Sequence, residues 1–255
     1  MKFIGIDLGW SSGASGLCCL NWQNNQLELI ECDRQQSLND ILAWLDTQIS
    51  PTEPAIVAVD APTIIANLTG MREADKLTHK HFGRYHAGCY PANLSRPFAQ
   101  KTVEFGLCLE ARGFVHSPIM EAQKLGRYQI EVYPHSATIN LFKLDRIIKY
   151  KKGKLAERQL ELMKLCQYII DILPNLEPSL NLAKIQTKNP RSEAFICGSN
   201  LPEIPTSTAT LKALEDQLDA LLCAYIGAHW WYWGRERNLV LGDRTTGYIV
   251  IPQVR

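Results

Sequence analysis

Met1-Lys2-Phe3-Ile4-Gly5-Ile6-Asp7-Leu8-Gly9-Trp10 is a short apolar run that ends on a carboxylate and turns at a glycine. Two further runs follow at close range. Lys2 to Leu8, Gly16 to Trp22 and Gln26 to Cys32 read as strands, parted by Ser11-Ser12-Gly13-Ala14-Ser15 and by Gln23-Asn24-Asn25. Gaps this short join antiparallel neighbours, so the three strands form a meander. Leu38, Ile41, Leu42, Leu45 and Ile49 then recur at helical spacing behind Ser37, a good N-cap, and Ser50-Pro51 stops the helix. Ala55-Ile56-Val57-Ala58-Val59 is apolar at every position, as expected of a strand covered on both faces. A meander, a helix and then a buried parallel strand predict an α/β protein with a mixed sheet.

Past Asp60 the pattern changes. Residues 63–126 interleave polar and basic groups with helical stretches, including one from about Pro97 to Ala111 that stops at Gly113, and read as a helical insertion or lid. Tyr128 to Tyr133 returns to strand chemistry and leads into a short helix near Ala137 to Leu144. Leu155, Leu160, Leu162, Met163, Leu165, Ile169 and Ile170 mark a long helix that Pro174 closes. Asn175 to Pro205 is poorly patterned and reads as loop, and Leu211 to Tyr225 begins a strong helical stripe that can run to Trp233. Gly247-Tyr248-Ile249-Val250-Ile251 reads as a last short strand. The expectation is one domain over 1–255, with 63–126 inserted in it.

Bulk properties narrow the function classes. With 255 residues, 46% of them hydrophobic and 21% charged, the chain can bury a large core and is not of disordered composition. A net charge of +1 gives no global attraction to polyanions, so any nucleic-acid contact rests on local patches. The eight cysteines include no Cys-x-x-Cys pair and mostly sit among apolar neighbours, which predicts reduced core thiols. No leader pattern and no apolar run of roughly 18 residues is visible, so the expectation is a cytoplasmic protein without a membrane span.

The acids carry the chemistry. Asp7 closes the first strand, Asp60 the run Val59-Asp60-Ala61-Pro62, and Glu131 lies in Ile130-Glu131-Val132-Tyr133-Pro134. Asp216 and Asp219 stand three apart on the last long helix, so both can face the sheet. Each has a plain alternative: Asp7 and Asp60 can serve turns or caps, and Asp216 can be solvated. Together they form a set that a divalent cation would satisfy, since carboxylates held against an apolar core need a partner and none lies beside them in sequence. Hard cations such as Mg²⁺ or Mn²⁺ prefer oxygen ligands. Two of them about 4 Å apart would serve phosphodiester hydrolysis.

Gly5-Ile6-Asp7-Leu8-Gly9 entering a meander, with Asp216-x-x-Asp219-Ala220-Leu221 on a late helix, resembles the RNase H fold, in particular its RuvC-like resolvase branch. More closely, the chain resembles the family called domain of unknown function 429, whose members are described as predicted nucleases of the RNase H-like fold. That match rests on Gly5-Ile6-Asp7, Val59-Asp60-Ala61-Pro62, Arg72-x-x-Asp75, Glu131-Val132-Tyr133-Pro134-His135, Leu218-Asp219-Ala220-Leu221 and Gly242-Asp243 to Pro252. The resemblance implies a five-stranded mixed sheet flanked by helices and a metal-dependent nuclease, a hydrolase using two metal ions. It places Asp7, Asp60, Glu131, Asp216 and Asp219 in the catalytic cluster, with Asp7, Asp60 and Asp219 as the ligands of Mg²⁺ or Mn²⁺. Glu131 has no clear counterpart in the simpler enzymes of that fold. The substrate, DNA, RNA, a junction or a small phosphodiester, stays open, as does a homodimer of the resolvase kind.

Basic residues supply candidates for substrate contact. Arg72 and Arg84 in the insertion can fork onto phosphate oxygens, and His135 lies close to Glu131 in sequence. Lys143, Arg146, Lys149, Lys151, Lys152 and Lys154 form the one strong basic cluster, from which Lys151 and Lys152 could follow a phosphodiester backbone. His79-Lys80-His81 lacks a third ligand for zinc. Trp230-Trp231-Tyr232-Trp233 reads as packing at a helix end or a subunit contact rather than a base-stacking platform. Two other function classes compete: a non-catalytic protein binding a cation, a phosphate ligand or a protein partner, and an actin-like or sugar-kinase-type ATP-binding protein. The second shares the Ile-Asp-Leu-Gly opening but needs a second copy of the fold and another glycine-rich phosphate loop.

Overall fold

The computed structural model describes residues 1–10, 13–182 and 203–254. The opening meander forms as expected. β1 (Lys2–Asp7) pairs antiparallel with β2 (Ser15–Gln23), and β2 with β3 (Gln26–Gln35). Asn24 and Asn25 hold positive φ in the tight β2–β3 turn, a conformation that asparagine tolerates well. After α1 (Leu38–Gln48), capped by the Ser37 side chain on the Asp40 amide, β4 (Ala55–Val59) joins β1 in parallel. All five of its residues are buried. The 63–126 block contributes α2 (Glu73–Phe82), α3 (Ala99–Ala111) and the two-residue β5 (Val115–His116). Then follow β6 (Arg127–Glu131), α4 (Pro134–Leu141), α5 (Leu155–Ile172), β7 (Leu180–Asn181), α6 (Thr208–Trp233) and the hairpin β8 (Asn238–Asp243) with β9 (Gly247–Pro252).

Among the described residues the main sheet has seven strands in the order β5-β6-β4-β1-β2-β3-β7, not five. The two extra members are edge strands of two residues each, too short to carry a period of two. The last strand also gains a partner, β8, which the sequence reading had left unassigned. The helix expected from about Ala137 starts at Pro134 instead, where a fixed φ and a missing N–H suit the first turn. Most of the poorly patterned stretch lies outside the described residues.

Alternation along the strands sends side chains to two cores. Ile4, Ile6, Leu17, Cys19, Val57 and Val59 pack against Ile41, Trp44 and Leu45 of α1 and Phe105 and Leu109 of α3. Phe3, Cys18, Leu20, Ile56 and Ala58 face the other way, onto α6 and the helices around it. Trp230 and Trp231 belong to this second core, with Trp231 against Phe3 at 5.5 Å and Trp22 at 5.8 Å between ring centres. Of the cysteines, Cys18, Cys19, Cys32, Cys89, Cys166 and Cys223 are buried and unpaired, while Cys197 lies outside the described residues.

The closest approach in the fold is between α6 and the meander. A Cβ placed on Gly5 would stand 1.9 Å from the Ala220 carbonyl oxygen and 2.3 Å from the Ala224 nitrogen. One placed on Gly16 would stand 1.9 Å from the Asp216 carbonyl oxygen. The helix backbone therefore rests directly on the backbone of β1 and β2, and neither contact can relax by rotating a side chain. Gly5→Ala should lower unfolding stability by about 1–3 kcal/mol or more in urea titration. Gly83→Ala, which meets open space, should stay within about 0.5 kcal/mol of wild type.

Candidate functional site

Three parallel strands end at one level. Ile6 is in register with Val59, and Val59 with Glu131. The Asp60 amide donates to the Ile6 carbonyl at 2.8 Å, and the Val132 amide to that of Val59 at 3.0 Å. Asp7 and Asp60 thus leave adjacent strands side by side, at the carboxyl edge where open α/β sheets bind their ligands. Both are partly buried. Asp219, wholly buried, joins them from α6, because the contacts at Gly5 and Gly16 set that turn of the helix over the ends of β1 and β2.

The electrostatics link these three acids. Burial drives the Asp7 carboxyl up to about 7; Lys151 opposes the rise, and Asp219 and Asp216 add to it. Asp60 is also held well above the ordinary carboxylate range, by burial first and then by Asp7. The charge that answers them is Lys151. Its Nζ lies 2.6 Å from Asp219 Oδ2. Burial works against the ammonium, but the attraction of Asp219, Asp7 and Asp60 outweighs it and raises its pKa. Lys151, a candidate for substrate phosphate, is turned inward here, drawn by the three carboxylates.

Tyr150 fixes Asp219 from the other side, donating to its Oδ1 at 2.5 Å. The segment carrying Tyr150 and Lys151 is tied down by Arg158 of α5. Its Nε donates to the Tyr150 carbonyl and its guanidinium grips Glu215 of α6 at 2.6 Å. His135, near the start of α4, sits between Tyr133, edge-on at 5.7 Å, and Tyr150, tilted at 5.6 Å. Burial, with Lys151 adding to it, lowers its pKa to about 4, so the imidazole is neutral at physiological pH. The sequence reading missed the roles of Tyr150, Arg158 and Glu215. A tyrosine inside a basic run carries no signal of its own, and its partner is 69 residues away.

The other candidates divide. Asp216 is buried and has cations of its own: Arg34 Nε donates to its Oδ2 at 3.0 Å, and Lys212 bonds its other oxygen. Glu131 is held in a different network. Arg72, on which a phosphate was expected, is 3% exposed and spends every guanidinium donor internally, on Asp75, Glu131 and the Ile64 carbonyl. Burial lifts Glu131 to about 7 even so, with Arg72 opposing. The Arg72–Asp75–Glu131 group is a brace between α2 and β6. Arg84 is exposed and lies over its neighbour Tyr85, and Lys152 is exposed beside Arg146, Lys149 and Glu161. Neither joins the acids.

Could the cluster hold a metal? Among the described residues, no three Asp, Glu, His or Cys side chains converge closely enough to hold an ion in this conformation. The donor chemistry nonetheless suits a hard cation: three carboxylates, two of them pushed up by burial. Asp219 Oδ2 is buried and has no hydrogen-bond donor, since Lys151 approaches it outside hydrogen-bonding geometry. The ammonium occupies the place of positive charge among them.

Two outcomes test these assignments. Arg72→Met should cost about 3–5 kcal/mol in urea unfolding, because Asp75 and Glu131 would be left as uncompensated buried acids; an Arg72 poised for phosphate would leave stability unchanged. Asp7 titrates at about 7 when folded against an ordinary 3.8. Its contribution is therefore full below pH 3.8 and lost as pH rises through 7. In metal-free buffer wild type should lose stability between about pH 4 and pH 7–8, and Asp7→Asn should show a shallower loss over the same window.

A family model described as "Protein of unknown function (DUF429)" matches residues 5–245. Neither a curated protein nor a solved structure matches the chain. The matched span begins inside β1, ends just beyond β8 and contains every acid discussed above. The chain belongs to the DUF429 family.

Proposed function

We propose that this chain is a divalent-cation-dependent hydrolase of phosphodiester bonds, a nuclease, built on an RNase H-like sheet. The observation that carries the reading is the grouping of Asp7, Asp60 and Asp219 at the ends of β1 and β4 and on α6, beside the Lys151 ammonium. The strand order supports it too. β3-β2-β1-β4-β6, three antiparallel and then two parallel, is the central part of the sheet and agrees with an RNase H-like arrangement.

In this reading Asp7, Asp60 and Asp219 would hold Mg²⁺ or Mn²⁺ in place of the Lys151 ammonium. The bound cation supplies charge that activates water and steadies the leaving oxygen. Tyr150 keeps the Asp219 carboxylate in one orientation. Asp7 and Asp60, which resist ionisation against each other, would lose that penalty with a dication bound. Lys151, freed of the carboxylates, would then be available to a phosphate. His135, neutral and beside Lys151, can accept a proton at a ring nitrogen.

A second reading follows from Lys151 itself. A cluster already neutralised by an internal ammonium can be purely structural, and the protein then binds no cation and cuts nothing. Thermal unfolding with and without Mn²⁺ separates the two. Under the hydrolase reading Mn²⁺ raises the midpoint of wild type, and Asp7→Asn or Asp219→Asn weakens metal affinity by more than the roughly 10–100-fold expected of an outer partner. Lys151→Ala, destabilised in metal-free buffer, should be rescued by Mn²⁺ and bind it more tightly than wild type. If Mn²⁺ leaves all four proteins unchanged and no DNA or RNA is cleaved, the structural reading stands.

A further inference from the structure

We infer that the exposed rings of Trp10 and Tyr90 form a stacking subsite for an unpaired nucleobase, which makes single-stranded nucleic acid the substrate class; the inference deepens the hydrolase reading and rests on it. Three observations converge. Trp10 and Tyr90 are 43% and 57% exposed and meet edge to face, their ring centres 5.5 Å apart and their planes at 64°, so that each ring keeps a face of its own. Large aromatics scattered singly over a surface need no explanation, whereas two side by side at the mouth of a site do. Both rings line the same hollow as Asp60, Tyr133 and Phe98, so a base resting on them would be part of the molecule whose phosphate meets the acids.

The platform is held in place before any ligand arrives. Trp10 leans on the buried Phe98 with ring centres 4.5 Å apart. The carbonyl of the preceding residue, Gly9, accepts from Lys101 Nζ of α3 at 2.6 Å. The Arg96 guanidinium lies over Tyr90, 5.0 Å from the ring centre, and holds that ring in place. An exposed aromatic face with a guanidinium beside it is what an unpaired base uses. The enclosed part of the hollow is about 40 Å³, space for a water or two. A base therefore lies on the exposed ring faces at the rim and not inside, which requires it to be unstacked from a duplex.

The test is fluorescence anisotropy with 12-mer single strands of DNA and of RNA, each intact and with abasic residues, in buffer containing EDTA. Wild type should bind one of the intact strands roughly 5- to 150-fold more tightly than its abasic counterpart. Trp10→Ala and Tyr90→Ala should each lose a factor in that range on the intact strand and little on the abasic one. Trp10→Phe, which keeps a flat face, should recover most of the loss, with an unfolding midpoint near wild type for each variant retained in the comparison. The proposal falls if wild type binds intact and abasic strands alike or binds neither. It also falls if Trp10→Phe loses as much as Trp10→Ala. Because the binding is read without metal, base-dependent affinity in a protein that cleaves nothing with Mn²⁺ would remove the hydrolase reading and leave the stacking subsite standing.

Discussion

Backbone-to-backbone contact between α6 and the meander is the constraint on which the rest depends. Gly5 and Gly16 leave no side chain between the strands and the carbonyls of Ala220 and Asp216. Most helix–sheet packing is cushioned by side chains that can repack, so small shifts are absorbed. Here nothing intervenes, and the helix has one depth and one rotation. That rotation directs Asp219 toward the strand ends and packs Leu218, Leu221, Leu222 and Cys223 into the apolar core. The geometry of the acidic cluster is in this sense a consequence of two missing Cβ atoms.

A buried cluster of like charges must be answered, and the two acidic networks of this protein are answered differently. Asp75 and Glu131 are neutralised by an arginine whose planar fork fits two carboxylates at once and which is almost sealed from water. Such an arrangement is rigid and saturated. Asp7, Asp60 and Asp219 are answered by a lysine on an irregular segment, off hydrogen-bonding geometry at Asp219 Oδ2 and partly open to solvent. A compact ammonium on a flexible stem can withdraw, and a guanidinium with five donors in use cannot. The contrast marks the first network as a fixed support and the second as the one whose cation can leave.

Much of the architecture was legible in the chain. The meander, the fully buried β4, the helix at 38–48 and the long stripe of α6 each follow from a period of two, an unbroken apolar run or a period of 3.6. The edge strands β5 and β7 and the pairing of β8 with β9 were not, because two residues have no period and β8, at Asn238–Asp243, is partly exposed and mixed in composition. In the site, Asp7, Asp60 and Asp219 could be singled out because a carboxylate bordering a core element is a local anomaly. Arg72 could not be told from a phosphate ligand, since Glu131, which takes up two of its donors, stands 59 residues away. Lys151 looked like one more surface cation in a basic run.

By itself, the sequence determined which elements form, which faces they bury and which acids stand at their ends, since these depend on neighbours a few positions apart. Tertiary structure alone decided which charge answers which acid, that Tyr150 and Lys151 close on Asp219, and that Trp10 meets Tyr90 beside Asp60. Those pairings join segments tens to hundreds of residues apart, and in a low-dielectric interior their strength depends steeply on distance and orientation. Only the packed chain, with α6 laid on two glycines, sets either one.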